Sequence, residues 1–154
     1  MLMICGIGAY FIAINNYIPK DIIKKLFLVY EMDYDEYWEV SQPKEVNEAV
    51  EKENPEMIKK ERQSYNEYRD SRKSRYEVVN VEILKKTREN TKSRSESYKE
   101  CGLKDKVKRE FNITARVVRN EYDYNGDLYD EYDEEVTLCV FKVGNRWYCE
   151  HYDM

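Results

Sequence analysis

The hydrophobic positions in the first third of the chain recur at the spacing of helices. In "IPKDIIKKLFLVYE" the apolar residues between Ile22 and Tyr30 form one stripe, and Pro19 suits the first helical position. In "DYDEYWEVSQ" Asp33 and Glu36 have the spacing of a capping box, in which each side chain bonds the backbone N–H of the other residue. The two patterns predict two short helices, one soon after the other.

Two prolines mark further helical stretches. Pro43 and Pro55 are each expected to open one, because the fixed φ of proline suits the first turn of a helix. Asn54 stands at the capping position before Pro55, and the second stretch is expected to end near Lys73.

After Arg75 the hydrophobic pattern changes to a period of two, which is typical of strands. "YEVVNVEIL" is expected to place three residues on one side of a strand: Val79, Val81 and Ile83. "FNITARVV", "EVTLCVFKV" and "RWYCEHY" predict three more strands. The charged stretch 85–110 predicts a loop with a short helix or an edge strand.

Two glycine-containing turns predict the register of the last three strands. "YNGD" predicts a two-residue hairpin loop at Asn125-Gly126, and "VGNR" predicts another at Gly144-Asn145 with glycine leading, as in a type II′ turn. The first turn gives three pairs: Ala115 with Val136, Ile113 with Leu138, and Phe111 with Val140. The second turn gives three more: Val140 with Cys149, Leu138 with His151, and Lys142 with Trp147.

These two registers agree on a single inward face of the sheet, which a helical layer would cover. The face consists of Phe111, Ile113, Ala115, Val117, Val136, Leu138, Val140, Trp147, Cys149 and His151. Cys139 falls on the opposite face, together with Phe141 and Val143.

Composition and charge narrow the class of protein. With 154 residues the chain is one domain long, and its 15 tyrosines supply rings that suit half-buried faces. Residues 59–94 carry 12 Lys/Arg and 6 Asp/Glu and are therefore basic, whereas residues 110–154 carry 4 Lys/Arg and 11 Asp/Glu and are acidic. Because the basic stretch mixes both signs and has no aromatic recognition strand, we interpret it as a solvated helix face and expect no nucleic-acid partner.

The first 16 residues differ from the rest of the chain. "MLMICGIGAYFIAI" contains no charge, yet it is shorter than the roughly 20 residues of a spanning helix. We interpret residues 1–16 as an apolar anchor or signal remnant, followed by one extracytoplasmic domain over residues 17–154, so that the protein is membrane-anchored or secreted. The alternative is an apolar helix or strand packed on the domain. Lipid attachment at Cys5 is disfavoured, because Ile4 is larger than the residue that normally precedes a lipidated cysteine.

Few residues offer reactive chemistry. Cys149 and the lone histidine, His151, lie two apart on a strand, and no third group is visible that would orient a catalytic pair. Burial of both is therefore the preferred interpretation. The four cysteines have no C-x-x-C spacing, so no metal site is expected from them, and no nucleotide motif or cofactor is indicated.

One segment partly matches a calcium-binding loop. "EYDYNGDLYDEY" has Asn125 and Gly126 at suitable places, but Tyr132 occupies the place of the required bidentate glutamate. A hairpin is therefore predicted. Its acidic tip could at most bind a cation weakly, through Asp123, Asp127, Asp130 and Asp133.

The order of these elements resembles the nuclear transport factor two-like superfamily, the ketosteroid-isomerase-like cone, over residues 17–152. The resemblance is carried by "IPKDIIKKLF", "DYDEYWEV" and "KVGNRWYC". It implies an α+β fold with N-terminal helices packed on a bent antiparallel sheet and a C-terminal β-meander. It also implies a cavity between helices and sheet, whose lining would include Tyr34, Trp38, Phe111, Ile113, Leu138, Val140, Trp147, Cys149 and His151.

The resemblance leaves several functions open, since such domains include enzymes and also non-enzymatic bacterial domains behind a membrane anchor. We expect a non-catalytic, membrane-tethered binding or accessory domain for a small hydrophobic ligand or a protein partner, because the inward face is apolar. The alternative is a small lyase or isomerase acting on a hydrophobic molecule, with His151 or a buried tyrosine as acid or base. A third hypothesis is a homodimer through an exposed outer sheet face that comprises Thr137, Cys139, Phe141, Tyr148 and Tyr152.

Overall fold

The computed structural model describes residues 17–151, in which five α-helices pack against one four-stranded antiparallel sheet. The α+β prediction is confirmed, whereas residues 1–16 and Tyr152 lie outside the described part. The helices are α1 (Lys20–Phe27), α2 (Tyr34–Ser41), α3 (Lys44–Glu53), α4 (Pro55–Ser71) and α5 (Lys92–Ser97). The strands are β1 (Arg75–Arg88), β2 (Val107–Tyr122), β3 (Leu128–Val143) and β4 (Arg146–His151), in that order across the sheet. None of the helices within residues 17–151 is long and apolar enough to cross a bilayer.

The helix starts agree with the sequence signals, with two corrections. The capping box is formed: the Glu36 N–H donates to Asp33 over 2.9 Å, and the Asp33 N–H donates to Glu36 over 3.3 Å. Pro55 is the first residue of α4 as predicted. Pro19 and Pro43 instead occupy the caps before α1 and α3, and the side chain of Asn54 makes no capping hydrogen bond.

The predicted register is confirmed at all six pairs, but one of the turns is not of the predicted kind. Val143 pairs with Arg146, so Gly144-Asn145 is the two-residue loop, and the φ of +57° at Gly144 is the conformation that its leading position requires. The first turn is longer. The Asp123 N–H donates to the Asp127 carbonyl over 2.9 Å, which leaves a three-residue loop that ends at Gly126 with φ +88°.

Strand β1 departs from simple alternation. Its pairing with β2 shifts by one residue between Val78 and Asn80, and again between Ile83 and Lys85. Because a bulge inserts an extra residue, Val78 and Val81 both point inwards and are buried, whereas Val79 is 52% exposed. The prediction that Val79 shares a face with Val81 is therefore wrong.

The inward face of the sheet forms the main core, under α1 and α2. Phe111, Ile113, Leu138, Val140 and Cys149 are at most 2% exposed and pack with apolar residues of α1. Ile18, just before α1, is also buried in this inner cluster. The core is thus built around the face that the two turns define.

The outer face of the sheet carries a second core, which the sequence did not predict. Cys139, Phe141 and Tyr148 are at most 4% exposed, because Val46 of α3 and Tyr98 after α5 cover them. The prediction of an exposed outer face is wrong for these three residues, although Thr137 is exposed. A homodimer would therefore have to use another part of the surface.

Candidate functional site

A tyrosine-lined groove of about 480 Å³ opens between the helices and one end of the sheet. The end of α1, the start of α2 and the middle of α4 form one wall, and β2, β3 and β4 form the other. The lining side chains include Phe27, Tyr30, Tyr34, Tyr37, Glu61, Tyr65, Arg119, Glu134, Val136 and His151. We call this site the tyrosine groove.

The helical wall of the tyrosine groove is a packed set of tyrosine rings. Tyr37 and Tyr65 stack with ring centroids 5.4 Å apart and an interplanar angle of 8°, and Tyr34 meets Tyr65 edge-on at 5.6 Å. The Tyr65 hydroxyl donates a hydrogen bond to the Val29 carbonyl, which fixes that ring against the turn after α1. The wall is therefore mainly aromatic, with Glu61 as a carboxylate beside the rings.

The phenols of this wall stay protonated at neutral pH. Burial raises the pKa of Tyr65 to about 12. Burial, and then the neighbouring Glu61 carboxylate, raise the pKa of Tyr34 further. The Tyr34 hydroxyl can donate a hydrogen bond to a ligand, whereas the Tyr65 hydroxyl already donates its proton to Val29. Both protonated phenols are poor proton acceptors.

The sheet wall contributes one fixed ion pair. Arg119 of β2 pairs with Glu134 of β3, and its guanidinium lies 5.2 Å from the centre of the Phe27 ring and 5.3 Å from that of Tyr132. Rings on two sides and a carboxylate hold Arg119 in one position. The groove thus places one fixed charge pair opposite an aromatic wall.

His151 and Cys149 lie in different environments, although they are two apart on β4. Cys149 is fully buried in the inner cluster, and burial raises the pKa of its thiol far above the usual value. His151 is exposed at the edge of the groove, where its ring meets Phe27 edge-on at 5.7 Å. The prediction of burial is confirmed for Cys149 and wrong for His151, because β4 ends where the helical layer no longer covers the sheet.

The nine residues expected to line a cavity fall into three groups. Tyr34 and His151 lie in the tyrosine groove. Trp38 and Trp147 are half-buried. The ring centroid of Trp38 lies 5.0 Å from that of Tyr34, and the ring centroid of Trp147 lies 6.3 Å from that of Phe111. The remaining five fill the core: Phe111, Ile113, Leu138, Val140 and Cys149.

Sequence reasoning missed most of the groove. Phe27 and Tyr30 belong to the predicted stripe of α1, and Tyr65 lies in the helical stretch that Pro55 is predicted to open. Neither pattern shows that these elements converge with β2 and β3. The available signal was the unusual number of tyrosines, 15 in the chain, rather than their spacing.

The acidic hairpin tip uses its carboxylates within the protein. Asp123 accepts hydrogen bonds from the backbone N–H groups of Asn125 and Asp127, at 2.8 and 2.9 Å, which lowers the pKa of its carboxyl. Asp133 pairs with Arg116 on the neighbouring strand. Within residues 17–151 no three histidine, cysteine or acidic side chains converge as metal ligands would.

Comparison of the whole chain with models of protein families, with curated proteins and with solved structures gives no match.

Proposed function

We propose that the protein is a non-catalytic, membrane-tethered extracytoplasmic binding domain that holds a small, mainly hydrophobic molecule in the tyrosine groove. The observation that carries this proposal is the groove itself. Its volume of about 480 Å³ suits a small molecule, and its lining combines aromatic rings with a few fixed polar groups. This is the composition by which proteins bind a hydrophobic body and orient one polar end.

The arrangement of the groove supports binding over the lyase or isomerase alternative. An acid or base needs a pKa near the working pH and a partner that orients it. Within the described residues, no carboxylate is hydrogen-bonded to His151, and Glu134 is already paired with Arg119. The raised pKa values of Tyr34 and Tyr65 keep both phenols protonated.

The tether is supported by the sequence. Residues 1–16 carry no charge and are followed by a polar domain with a mean hydropathy of −0.89 over the whole chain. Such a contrast is typical of a segment that partitions into a membrane ahead of a domain that stays in water.

The binding proposal can be tested with a neutral fluorescent probe, N-phenyl-1-naphthylamine, and the full chain. Replacing Tyr37 by alanine removes one ring of the stacked wall, so we expect the Kd of the probe to rise about tenfold or more. Val136→Trp fills the groove from the sheet side and should weaken binding at least as much. It leaves the tyrosine wall intact, so its effect does not depend on any change in the packing of that wall.

Tyr129→Ala is the matched control, because Tyr129 is 74% exposed on the hairpin and distant from the groove. This control carries the same apolar segment 1–16, so probe bound there is common to all variants. Equal affinity in wild type, Tyr37→Ala and Val136→Trp would show that the probe does not enter the groove and would contradict the proposal.

A further inference from the structure

The corner at which the described chain begins combines exposed apolar and basic side chains. Tyr17 is 63% exposed and Leu84 of β1 is 45% exposed. Lys20, Lys85 and Lys86 surround them and line the same shallow depression. We call this set of five residues the amino-terminal corner.

The charge of the amino-terminal corner is positive. The residues that line the depression include three lysines and one acid, Asp21. Lys24 follows Lys20 by about one turn of α1, on the same side of the helix. The protein as a whole has a net charge of −5, so this positive area runs against the overall charge.

The position of the corner is tied to the apolar segment. Ile18 is 5% exposed and packs in the inner cluster, so the chain is fixed to the domain two residues after residue 16. A segment 1–16 held in a membrane would therefore bring this corner, rather than another part of the domain, to the bilayer surface.

From charge, apolar exposure and chain path together, we infer that the amino-terminal corner rests on the surface of an anionic lipid bilayer. The inference relies on the tether proposed above and adds the lipid chemistry and the orientation. Aromatic and aliphatic side chains settle among headgroups, while lysines bind the negative surface. Tyr17 and Leu84 supply the former, and Lys20, Lys85 and Lys86 the latter.

The tyrosine groove lies away from this contact. The corner lies at the start of α1 and the groove at its end, and an eight-residue helix is about 12 Å long.

The test uses the full chain with two kinds of vesicle, pure phosphatidylcholine and phosphatidylcholine with 30% phosphatidylglycerol. If the tether exists, the protein should float with vesicles of both kinds. Hydrogen exchange of β1 residues 83–88 reports the corner, and we expect exchange there to be slower on the anionic vesicles than on the neutral ones, because the lysines bind only the negative surface. Salt at 0.5 M should remove this protection, because it screens surface charges.

Lys85→Glu/Lys86→Glu should abolish the lipid-dependent protection. The matched control is Lys59→Glu/Lys60→Glu, which reverses two exposed charges on α4 and should leave the protection intact. Flotation on both vesicles with no difference in exchange between them would overturn the corner contact and leave the tether standing.

The remaining flotation results are equally decisive. Flotation on anionic vesicles alone, lost in Lys85→Glu/Lys86→Glu, would support the corner contact and overturn the tether. No flotation on either kind of vesicle would overturn both.

Discussion

Arg94 shows how one side chain holds a short helix onto the sheet. Its guanidinium bonds Glu110 at 3.0 Å and Glu150 at 2.6 Å, and lies 3.6 Å from the centre of the Phe141 ring. Burial alone would lower the pKa of Arg94, but the hydrogen bonds to both carboxylates outweigh burial and raise it. Such charge-assisted, stacked contacts allow the six-residue helix α5, too short to be stable alone, to stay docked on the outer face.

Glu121 should make the free energy of unfolding depend on pH. Glu121 is buried although it carries a charge. Hydrogen bonds from Ser74 and from Tyr132, the latter over 2.7 Å, lower the pKa of its carboxyl from 4.5. A folded-state pKa below the unfolded value means that ionised Glu121 stabilises the fold above that unfolded value, and that the contribution is lost as the pH falls through the folded pKa. We expect Glu121→Gln to reduce the free energy of unfolding at pH 7 by about 1–3 kcal/mol.

Urea denaturation of wild type and variant at several pH values checks this prediction. The difference between them should shrink as the pH falls below about 4.5, because wild-type Glu121 becomes protonated there. Glu131→Gln, on the exposed part of β3, should change stability by less than about 0.5 kcal/mol throughout. A difference for Glu121→Gln that is independent of pH would contradict the role of its charge.

At the scale of single elements, the bulge in β1 gives opposite expectations for two neighbouring valines. Val81 is 1% exposed in the inner cluster, so Val81→Ala should lower the free energy of unfolding by about 2–3 kcal/mol. Val79→Ala should cost less than about 0.5 kcal/mol, because its side chain is 52% exposed. Urea unfolding measures both, and equal costs would show that β1 alternates without the bulge.

The register of the hairpin was predictable even though its turn was not. The loop has one residue more than expected, and pairing then shifts between Glu121 and Tyr122, which leaves Tyr129 as an extra residue in β3. The two changes compensate, so every pair from Glu121 with Asp130 onwards follows the predicted register. The hydrophobic pattern enforces this outcome, because a slip of one residue would turn the core face outwards. No comparable pattern marks the bulge at Val79, because the adjacent Val78 and Val79 are equally suited to the inward position.

For the whole molecule, the sequence predicts those features that depend on short segments and misses those that depend on how segments meet. Capping signals predicted the helix starts, the glycine turns predicted the strand register, and the alternation of apolar residues predicted the inner cluster. The tyrosine groove combines residues that are more than 100 positions apart, such as Phe27 and Glu134, and local periodicity carries no information about such a meeting. The same reasoning explains the missed outer cluster, since nothing in the charged stretch 85–110 indicates that α5 covers Phe141.

The outer cluster should contribute to stability as strongly as the inner one. Phe141 is fully buried, 5.5 Å from the Tyr148 ring and beneath Arg94, so Phe141→Ala should cost about 3–5 kcal/mol of unfolding free energy. Phe111→Ala, in the inner cluster, should cost a similar amount, because both faces of the sheet are then cores of one cooperative unit. Urea unfolding followed by tryptophan fluorescence and by circular dichroism measures both variants. A cost below about 0.5 kcal/mol for Phe141→Ala alone would mean that α3 and α5 do not cover the sheet and that its outer face is open to a partner.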